Sequence, residues 1–371
     1  MASLLLCLTL AAVLGSCHKR VQPQPLTETR REELAAGFQK AITSTGGPEV
    51  WIKQPAGAHD AKSPEASLEV VAASSVFPTL EPALRREAAQ HKLDFAALAG
   101  AGAGGLKTTS IEVRLHGHRI FRAHLREVPR LLHAAIVIDD LGAEPEPAQK
   151  LLALPYPLTY SILPYLRSSH ATAEDVHRAG REVMLHLPME AEPGPHPSPG
   201  EGVIRIGMSE AETLRVLRND LAAIPFVGGV NNHMGSRATE NRTLMTGVMK
   251  VLAERRLYFI DSRTTSASVA LHAARRQGIP SFYRSVFLDD EENVSYTLGQ
   301  LRLFCHVVQE QGAALAIGHP HPTTIAALAQ FLPEFDRANI ELVPASRLVH
   351  LPEIARLHPP NTGPRTVAAK Q

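Results

Sequence analysis

The sequence predicts an α/β protein in which a closed or nearly closed (β/α) barrel of about seven strands follows a small α+β domain. From Leu131 onward, short apolar segments alternate with segments of helical periodicity, which is the pattern of a parallel sheet covered by crossover helices. Seven or eight apolar segments suit a closed or nearly closed barrel better than an open sheet. This region also contains no G-x-G-x-x-G or Walker-type loop, which weakens a nucleotide-binding interpretation.

The composition bounds the size of the core and the class of partner. The chain has 371 residues, and 44% of them are apolar, which suffices for one large domain and a smaller one. Lys and Arg number 38 against 37 Asp and Glu, so the net charge is close to zero. This balance argues against nucleic acid or an acidic membrane surface as the main partner.

Residues 1–17 are typical of an export signal. A short apolar run ends in small residues before Cys17, and Leu14-Gly15-Ser16-Cys17 resembles the bacterial lipobox, in which the cysteine is acylated. A plain signal peptide remains the alternative. We therefore expect a protein exported to the periplasm or cell envelope, with lipidated Cys17 as its membrane anchor and residues 18–26 as a linker. Cys305 then remains as a core thiol in a helix, and no disulfide framework is predicted.

Residues 27–128 are predicted to form a small α+β domain. A helix begins at Thr27, a second covers about residues 80–93, and alternating side chains around His116-Gly117-His118 indicate a β-hairpin. The barrel covers residues 131–351, and residues 352–371 are predicted to be a flexible tail. The barrel strands are predicted at residues 134–138, 158–163, 183–187, 227–230, 257–260, 281–286, 313–317 and 341–343. Its helices are predicted at residues 170–179, 210–223, 241–256, 267–277, 294–311 and 324–331.

Polar residues follow five of these strands. In chain order they are Asp139-Asp140, His186 with Glu190, Asn231-Asn232-His233, Asp261-Ser262, and His319 with His321. Because the carboxyl ends of parallel barrel strands meet at one rim, we expect these side chains to share a site. Each also has a structural interpretation: Asp139-Asp140 and Asp261 could cap helices, and His186 could be a hydrogen-bonded core histidine. These interpretations would all have to hold together for the rim to lack a function.

The adjacent aspartates indicate a metal. Two neighbouring carboxylates repel each other, and a cation relieves that repulsion. Carboxylate and imidazole ligands with an open position suit a divalent ion such as zinc. One carboxylate can then bind the ion, while the other stays ionised and ready to accept a proton.

At this point the pattern resembles the polysaccharide deacetylase (NodB-homology) superfamily, specifically its divergent polysaccharide deacetylase branch. The resemblance covers about residues 131–351 and is carried by the segments I-V-I-D-D-L-G, H-L-P-M-E, G-V-N-N-H-M-G-S, F-I-D-S-R-T-T and A-I-G-H-P-H-P. It implies a distorted (β/α) barrel and metal-dependent removal of N- or O-acetyl groups from sugars.

The resemblance also implies roles for individual residues. By position, Asp139 is the general base, Asp140 and His186 are metal ligands, His319 is the general acid, and Asp261 is the carboxylate that orients His319. The family's metal motif ends in a second histidine where this chain has Glu190, and Asn231-Asn232-His233 replaces its Arg-Pro segment. We expect His233 to supply the missing imidazole and keep Glu190 as a further candidate ligand. The expected substrate contacts are Asn232, Ser262 and His321.

The expected function is metal-dependent hydrolysis, with zinc as the cofactor and an acetylated envelope polysaccharide or peptidoglycan as the substrate. One alternative is a non-catalytic barrel that binds a glycan or an envelope protein. Another is a different metal hydrolase such as a phosphodiesterase, against which the lack of a second carboxylate-rich cluster in the sequence counts. The loop of residues 192–202 either covers the substrate or is a solvated spacer.

Overall fold

The protein is described by a computed structural model that covers residues 27–53, 66–195 and 198–351. The predicted signal segment, Cys17, the linker and the tail after residue 351 lie outside the described residues. Within the described residues, no helix combines the length and apolar character needed to cross a membrane.

The first domain is a five-stranded sheet covered by two helices. Its helices are α1 (Glu28–Gly46) and α2 (Phe77–Gln90), and its strands are β1 (Val50–Lys53), β2 (Ala66–Ala73), β3 (Asp94–Ala101), β4 (Lys107–Leu115) and β5 (His118–Val128). The strand order is β1-β2-β5-β4-β3, in which β2 and β5 are parallel and the other pairs antiparallel. Thr27 caps α1 by accepting a hydrogen bond from the Arg30 N–H at 3.4 Å.

The second domain is a curled parallel sheet surrounded by helices, which confirms the predicted fold class. Its strands are β6 (Leu132–Leu141), β7 (Thr159–Ile162), β8 (Glu182–Met189), β9 (Val227–Met234), β10 (Tyr258–Asp261), β11 (Ser281–Tyr283), β12 (Val286–Phe287), β13 (Ala313–Gly318) and β14 (Ile340–Leu342). Its helices are α3 (Pro145–Leu152), α4 (Ser169–Arg178), α5 (Glu210–Ala223), α6 (Arg242–Glu254), α7 (Ala270–Arg276), α8 (Val294–Gln311), α9 (Pro322–Arg337) and α10 (Ala345–Val349). The strand order is β11-β10-β9-β8-β7-β6-β13-β12, with β14 beside the start of β6.

The two edges of this sheet are neighbours in sequence. The single strand predicted at residues 281–286 is in fact two strands, β11 and β12, which lie at opposite edges. Only Arg284 and Ser285 separate them, so Tyr283 and Val286 are at most about 11 Å apart. The Arg284 N–H donates to the Asp261 carbonyl (2.9 Å) on one edge, and the Ser285 N–H donates to the Leu315 carbonyl (2.7 Å) beside the other. We call this two-residue link the seam, and it makes the sheet curl into a distorted barrel.

Alternating residues along the strands build two separate apolar layers. Ala135 and Val137 of β6 belong to the cluster inside the barrel, together with Met184 of β8 and Leu315 of β13. Ile136 of β6 belongs to the cluster between the sheet and the helices. Side chains at odd positions of β6, β9, β12 and β13 and at even positions of β8 and β10 therefore face inward.

One end of the barrel interior is closed and the other carries the polar residues. Helix α10 lies under the amino ends of the strands, where the Ala345 N–H donates to Thr159 Oγ1 at 2.9 Å. The apolar side chains of Leu348 and Val349 complete the inner cluster there. Any site that uses the barrel interior is therefore at the carboxyl ends of the strands.

Candidate metal centre

Three side chains meet at the rim formed by the carboxyl ends of the strands. Asp140 lies at the end of β6, His186 on β8 and His233 on β9. His186 shares the inner face with Met184, and His233 points inward because it is three positions after Val230, which packs against the helices. His186 is buried, whereas His233 and Asp140 are partly exposed at the mouth.

A β-bulge explains how two adjacent aspartates reach the same site. In a regular strand, Asp139 would face inward and Asp140 would face the helices. The pairing of β6 with β7 shifts by one residue between Ile138 and Leu141, and Asp140 has a φ of +57°. The extra residue turns the Asp140 side chain inward, and Leu141 returns to the outer layer. Aspartate adopts this left-handed conformation more readily than most non-glycine residues, and here it brings a second carboxylate to the rim.

The ligand atoms of the triad form a small triangle. Asp140 Oδ1 lies 3.0 Å from His233 Nδ1 and 3.2 Å from His186 Nε2. The two imidazole nitrogens are 3.0 Å apart. Ligands around a tetrahedral zinc, each about 2.0–2.1 Å from the ion, lie about 3.3 Å from one another. The triad is therefore close to the spacing that a divalent ion requires.

The hydrogen bonding of Asp140 also fits a cation. Its buried Oδ1 contacts two nitrogens, yet no described residue gives it a hydrogen bond of good geometry. Burial raises the pKa of Asp140, but the contacts with His186 and His233 outweigh that effect and hold the pKa far below its usual range. An ionised oxygen facing two imidazoles, with an open side toward the mouth, is the donor set of a zinc or similar divalent ion.

Asn231 fixes the orientation of His186. The Asn231 Nδ2 group donates to Asp139 Oδ1 (2.8 Å), so its Oδ1 atom is the acceptor for Ser161 Oγ (2.7 Å) and His186 Nδ1 (2.8 Å). With the proton on Nδ1, the Nε2 lone pair of His186 is free to face the triad. Burial lowers the pKa of His186, but the charges of Asp139 and Asp140 and its hydrogen bonds outweigh this effect and raise it.

Asp139 lies beside the triad without joining it. Its side chain is 4% exposed, and its Oδ2 atom is 3.6 Å from His186 Nε2. The other oxygen, Oδ1, receives the hydrogen bond from Asn231. One oxygen is thus held by Asn231, and the other lies beside His186 Nε2.

His319 and Asp289 form an ion pair at the rim, beside the triad. His319 Nδ1 lies 3.1 Å from Asp289 Oδ1, and His319 Nε2 lies 3.8 Å from Asp140 Oδ2. Burial lowers the pKa of His319, but the hydrogen bond with Asp289 and the charges of Asp139, Asp289 and Asp140 raise it to about 9. His319 is therefore protonated at neutral pH in the metal-free protein. Asp289 is itself held by the His319 N–H and by Thr324 Oγ1, each at 2.6 Å from Oδ2.

The structure places Asp261 away from His319, which differs from the role that the family resemblance implies. Phe259 belongs to the outer layer, and Asp261 lies two positions later on the same face of β10. Its side chain therefore points toward α7. Its Oδ2 accepts hydrogen bonds from Ser268 Oγ (2.8 Å) and the Leu271 N–H (3.2 Å). The carboxylate that contacts His319 is Asp289 instead.

Glu190 is bound to neighbouring loops and is not among the three converging ligands. Its Oε1 atom pairs with Arg237 Nη1 (2.5 Å), and its Oε2 atom accepts from the Ile206 N–H (2.7 Å). Its carbonyl also accepts from the Ala238 N–H at 2.9 Å. Glu190 thus ties the segments on either side of the rim together, and His233 contributes the second imidazole of the triad.

The three expected substrate contacts have different surroundings. Asn232 points outward, where Oδ1 accepts from the Ser262 N–H (2.9 Å) and Nδ2 donates to the Met234 carbonyl (2.8 Å). It therefore joins the ends of β9 and β10. Ser262 Oγ is buried and has no hydrogen-bond partner among the described residues. His321 is half-exposed, and its ring centre is 5.8 Å from that of His319.

Two residues of the rim, Asn231 and Asp289, were not identified as functional from the sequence. The alternation of β9 could have identified Asn231, because Val230 packs in the outer layer and the next residue therefore points inside. Asp289 was missed because residues 281–286 were predicted as one strand. Once β12 is recognised as a separate strand, Asp289 follows its carboxyl end, as His319 follows that of β13.

Comparisons with other proteins agree with this description. The family model for divergent polysaccharide deacetylases matches residues 136–349. The uncharacterized protein YibQ of Escherichia coli K12 is 36% identical over 226 residues, which is 61% of this chain and 70% of YibQ. An uncharacterized protein of Haemophilus influenzae is 36% identical over 194 residues, or 52% of this chain and 69% of the relative. The crystal structure of an uncharacterized protein of Agrobacterium tumefaciens C58 is 26% identical, with a TM-score of 0.56, over 59% of this chain and 89% of that chain.

Proposed function

Because this chain belongs to the divergent polysaccharide deacetylase family, we propose that it is a zinc-dependent hydrolase that removes acetyl groups from an envelope polysaccharide. The observation that carries the proposal is the convergence of Asp140, His186 and His233, whose ligand atoms lie 3.0–3.2 Å apart. These three residues would hold the ion. A divalent ion in this position lowers the pKa of a bound water and polarises the acyl oxygen of a substrate.

Asp139 is proposed as the general base. Its Oδ1 is occupied by the Asn231 amide, which leaves Oδ2, 3.6 Å from His186 Nε2, to accept the proton of the attacking water. A base must lie within reach of the proton that it takes, and Asp139 is the buried carboxylate beside the triad that is not itself a ligand. The neighbouring cation would keep it ionised.

His319 is proposed as the general acid. In the metal-free protein, the hydrogen bond with Asp289 and the nearby carboxylates raise the pKa of His319 to about 9, which favours the protonated form, and its Nε2 atom faces the triad from a distance of 3.8 Å to Asp140 Oδ2. From there it can donate a proton to the leaving nitrogen or oxygen as the acyl bond breaks. Asp289 holds the other ring nitrogen and so fixes the orientation of the ring.

Export and anchoring at the cell envelope form the second part of the proposal. The support is the apolar segment that ends at Cys17 in a lipobox-like sequence. An envelope location would bring the rim close to acetylated peptidoglycan or another acetylated surface glycan. The net charge of +1 does not support nucleic acid as a partner.

Acetate release tests the enzymatic part of the proposal. The zinc-loaded protein is incubated with acetylated chitooligosaccharides and peptidoglycan fragments, and we expect acetate release from at least one of them. Asp139→Asn should lower the rate by about 10²–10⁴-fold, the usual contribution of a positioned base, while the tightly bound zinc remains. Absence of acetate release by zinc-loaded protein on all these substrates would favour the non-catalytic glycan-binding alternative. Equal rates for Asp139→Asn and the unmodified protein would remove Asp139 from the mechanism.

A further inference from the structure

A second group of metal-ligating side chains lies next to the triad. It consists of Asp289, His319 and His321, each of which offers a ligand atom within 4.8 Å of the other two. Within this second cluster, the His319 Nδ1 to Asp289 Oδ1 distance is 3.1 Å. The carboxylate of Glu292 adds an oxygen 3.7 Å from His321 Nδ1 at the open side. Two imidazoles and a carboxylate are again a donor set suited to zinc.

We propose that the second cluster binds a second, weaker zinc ion, and that this ion inhibits the enzyme. The proposal depends on the two ring nitrogens of His319, which point to different carboxylates. Nε2 is directed toward Asp140 (3.8 Å to Oδ2), while Nδ1 is directed toward Asp289. An ion held through Nδ1 lies on the side of the ring that is turned away from the triad. Co-catalytic metal pairs are spaced about 3.5–4 Å apart and share ligands. An ion across the His319 ring does not have that arrangement.

The order of the two affinities follows from what each carboxylate must give up. In the triad, Asp140 Oδ1 has no hydrogen bond from a described residue, so the carboxylate itself loses none when it binds an ion. In the second cluster, Asp289 Oδ1 is already paired with His319 Nδ1, and that contact must be replaced by two bonds to the ion. His321 is also half-exposed, and within the described part of the chain its ring contacts only the exposed Glu292 at 3.7 Å and the neighbouring His319 ring, so ordering it for an ion opposes binding. The second ion therefore binds more weakly than the first.

Inhibition follows from the chemistry of the imidazole. An ion on Nδ1 takes the position of the proton that Asp289 holds in the metal-free protein. His319 is then a neutral, metal-bound imidazole with its remaining proton on Nε2, which is a far weaker acid than an imidazolium. It no longer serves as the proton donor to the leaving group. This inhibitory half of the proposal rests on the proposed function, whereas the binding of the ion does not.

Zinc binding to the chelator-stripped full chain tests the site without any need for activity. Equilibrium dialysis should show two classes of zinc, with one equivalent tight and one weaker. His321→Asn should lose the weaker class and keep the tight one. Asparagine suits this position because residue 321 is the N-cap of α9, so the helix is retained. Asp140→Asn should lose the tight class and keep the weaker one.

His170→Ala provides the matched control. His170 is exposed and lies 3.8 Å from Glu174, so it has a carboxylate neighbour but no second imidazole in a cluster. This variant should keep both classes. A single class in the unmodified protein, or two classes in a folded His321→Asn, would overturn the proposed site.

Kinetics test the inhibitory effect. Once acetate release has been measured, excess zinc should inhibit the unmodified protein, and His321→Asn should need at least about tenfold more zinc for the same fractional inhibition of its own rate. Equal zinc sensitivity of the two proteins would overturn the inhibitory role. A protein that binds two zinc ions but releases no acetate would instead refute the proposed function and leave the second site intact.

Discussion

The triad and the Asp289–His319 pair are built from the same residue types but have opposite hydrogen-bonding states. Asp140 Oδ1 faces two imidazole nitrogens and receives no hydrogen bond from the described residues. Asp289 receives hydrogen bonds from His319 Nδ1, the His319 N–H and Thr324 Oγ1. A carboxylate left without donors attracts a cation, whereas one saturated by donors holds a proton on its neighbour. The surroundings, rather than the residue type, therefore decide which carboxylate binds the tight ion and which one orients the proton donor.

Backbone geometry creates this difference. Asp140 is the extra residue of a β-bulge with a φ of +57°, which turns it toward the mouth and away from backbone N–H groups. Asp289 lies under the start of α9 and against β13. A Cβ atom on Gly318 would lie 3.2 Å from Asp289 Oδ2, so a side chain there would crowd the carboxylate. Glycine at position 318 thus permits the close approach that saturates Asp289.

Asp140→Asn should give the largest effect, because it removes a ligand of the tight ion. We expect loss of the tightly bound zinc and a fall in acetate release of more than about 100-fold, beyond the 10–100-fold cost of losing an outer partner of a metal ligand. Metal content by elemental analysis after dialysis is the measurement. Retention of tight zinc by a folded Asp140→Asn would contradict the assignment of the triad.

Asp289→Asn should change the protonation of His319 and leave the tightly bound zinc in place. Loss of the Asp289 charge should lower the pKa of His319 from about 9 toward the ordinary value near 6.5. The general acid must be protonated, and activity is lost as pH rises through its pKa, so the alkaline limb of kcat/KM should move to lower pH. If the pKa reaches the ordinary value, the rate at pH 8 should fall by about thirtyfold, in proportion to the protonated fraction.

The control for this prediction is Asp290→Asn. Asp290 is the adjacent exposed carboxylate, and its Oδ2 atom contacts Tyr296 Oη at 3.4 Å. The Asp290→Asn substitution removes the same charge from a residue that does not contact His319. An alkaline limb that moves equally in both variants, or in neither, would show that Asp289 does not set the protonation of His319.

Asn231→Ala should have the smallest effect of the three, because it removes only an outer partner of the triad. His186 loses the acceptor that fixes its tautomer, and Asp139 loses a donor. We expect zinc affinity to fall by about 10–100-fold. Asn232→Ala is the matched control on the outer face: its lost hydrogen bonds should cost about 1–3 kcal/mol in the free energy of unfolding and leave zinc affinity unchanged. Competition with a chromogenic chelator measures the first effect, and urea unfolding measures the second.

The fold and the rim could be predicted because each depends on local patterns. Apolar segments alternating with helical periodicity specify a parallel sheet, and that topology alone brings Asp140, His186 and His233 to one edge. The first domain was harder to predict. Strand β3 (Asp94–Ala101) is rich in the small residues Ala and Gly, and its side chains are largely exposed. It therefore lacks the alternation of apolar and polar residues by which a strand is predicted.

Finer assignments required the direction of each side chain. The alternation of β9 and β10 places Asn232 and Asp261 on the outer face, a distinction that a reading of strand ends alone does not make. The inward direction of Asp140 could not be deduced in this way, because the bulge reverses the alternation at one residue. Asp289 depended on a tertiary feature, since a continuous run of β-forming residues hides the change of sheet edge at the seam.

The seam also separates the residues of the rim into two groups along the sequence. Asp139, Asp140, His186 and His233 all precede Arg284, while Asp289, His319 and His321 all follow Ser285. The three ligands of the tight ion therefore emerge during synthesis before the proposed acid, His319, and its partner Asp289. The earlier portion can gather its ligands as soon as β6 to β9 are paired, and the acid arrives only when β13 docks beside β6, across a chain separation typical of late-forming contacts. Metal capture by the emerging chain would thus precede its competence for turnover.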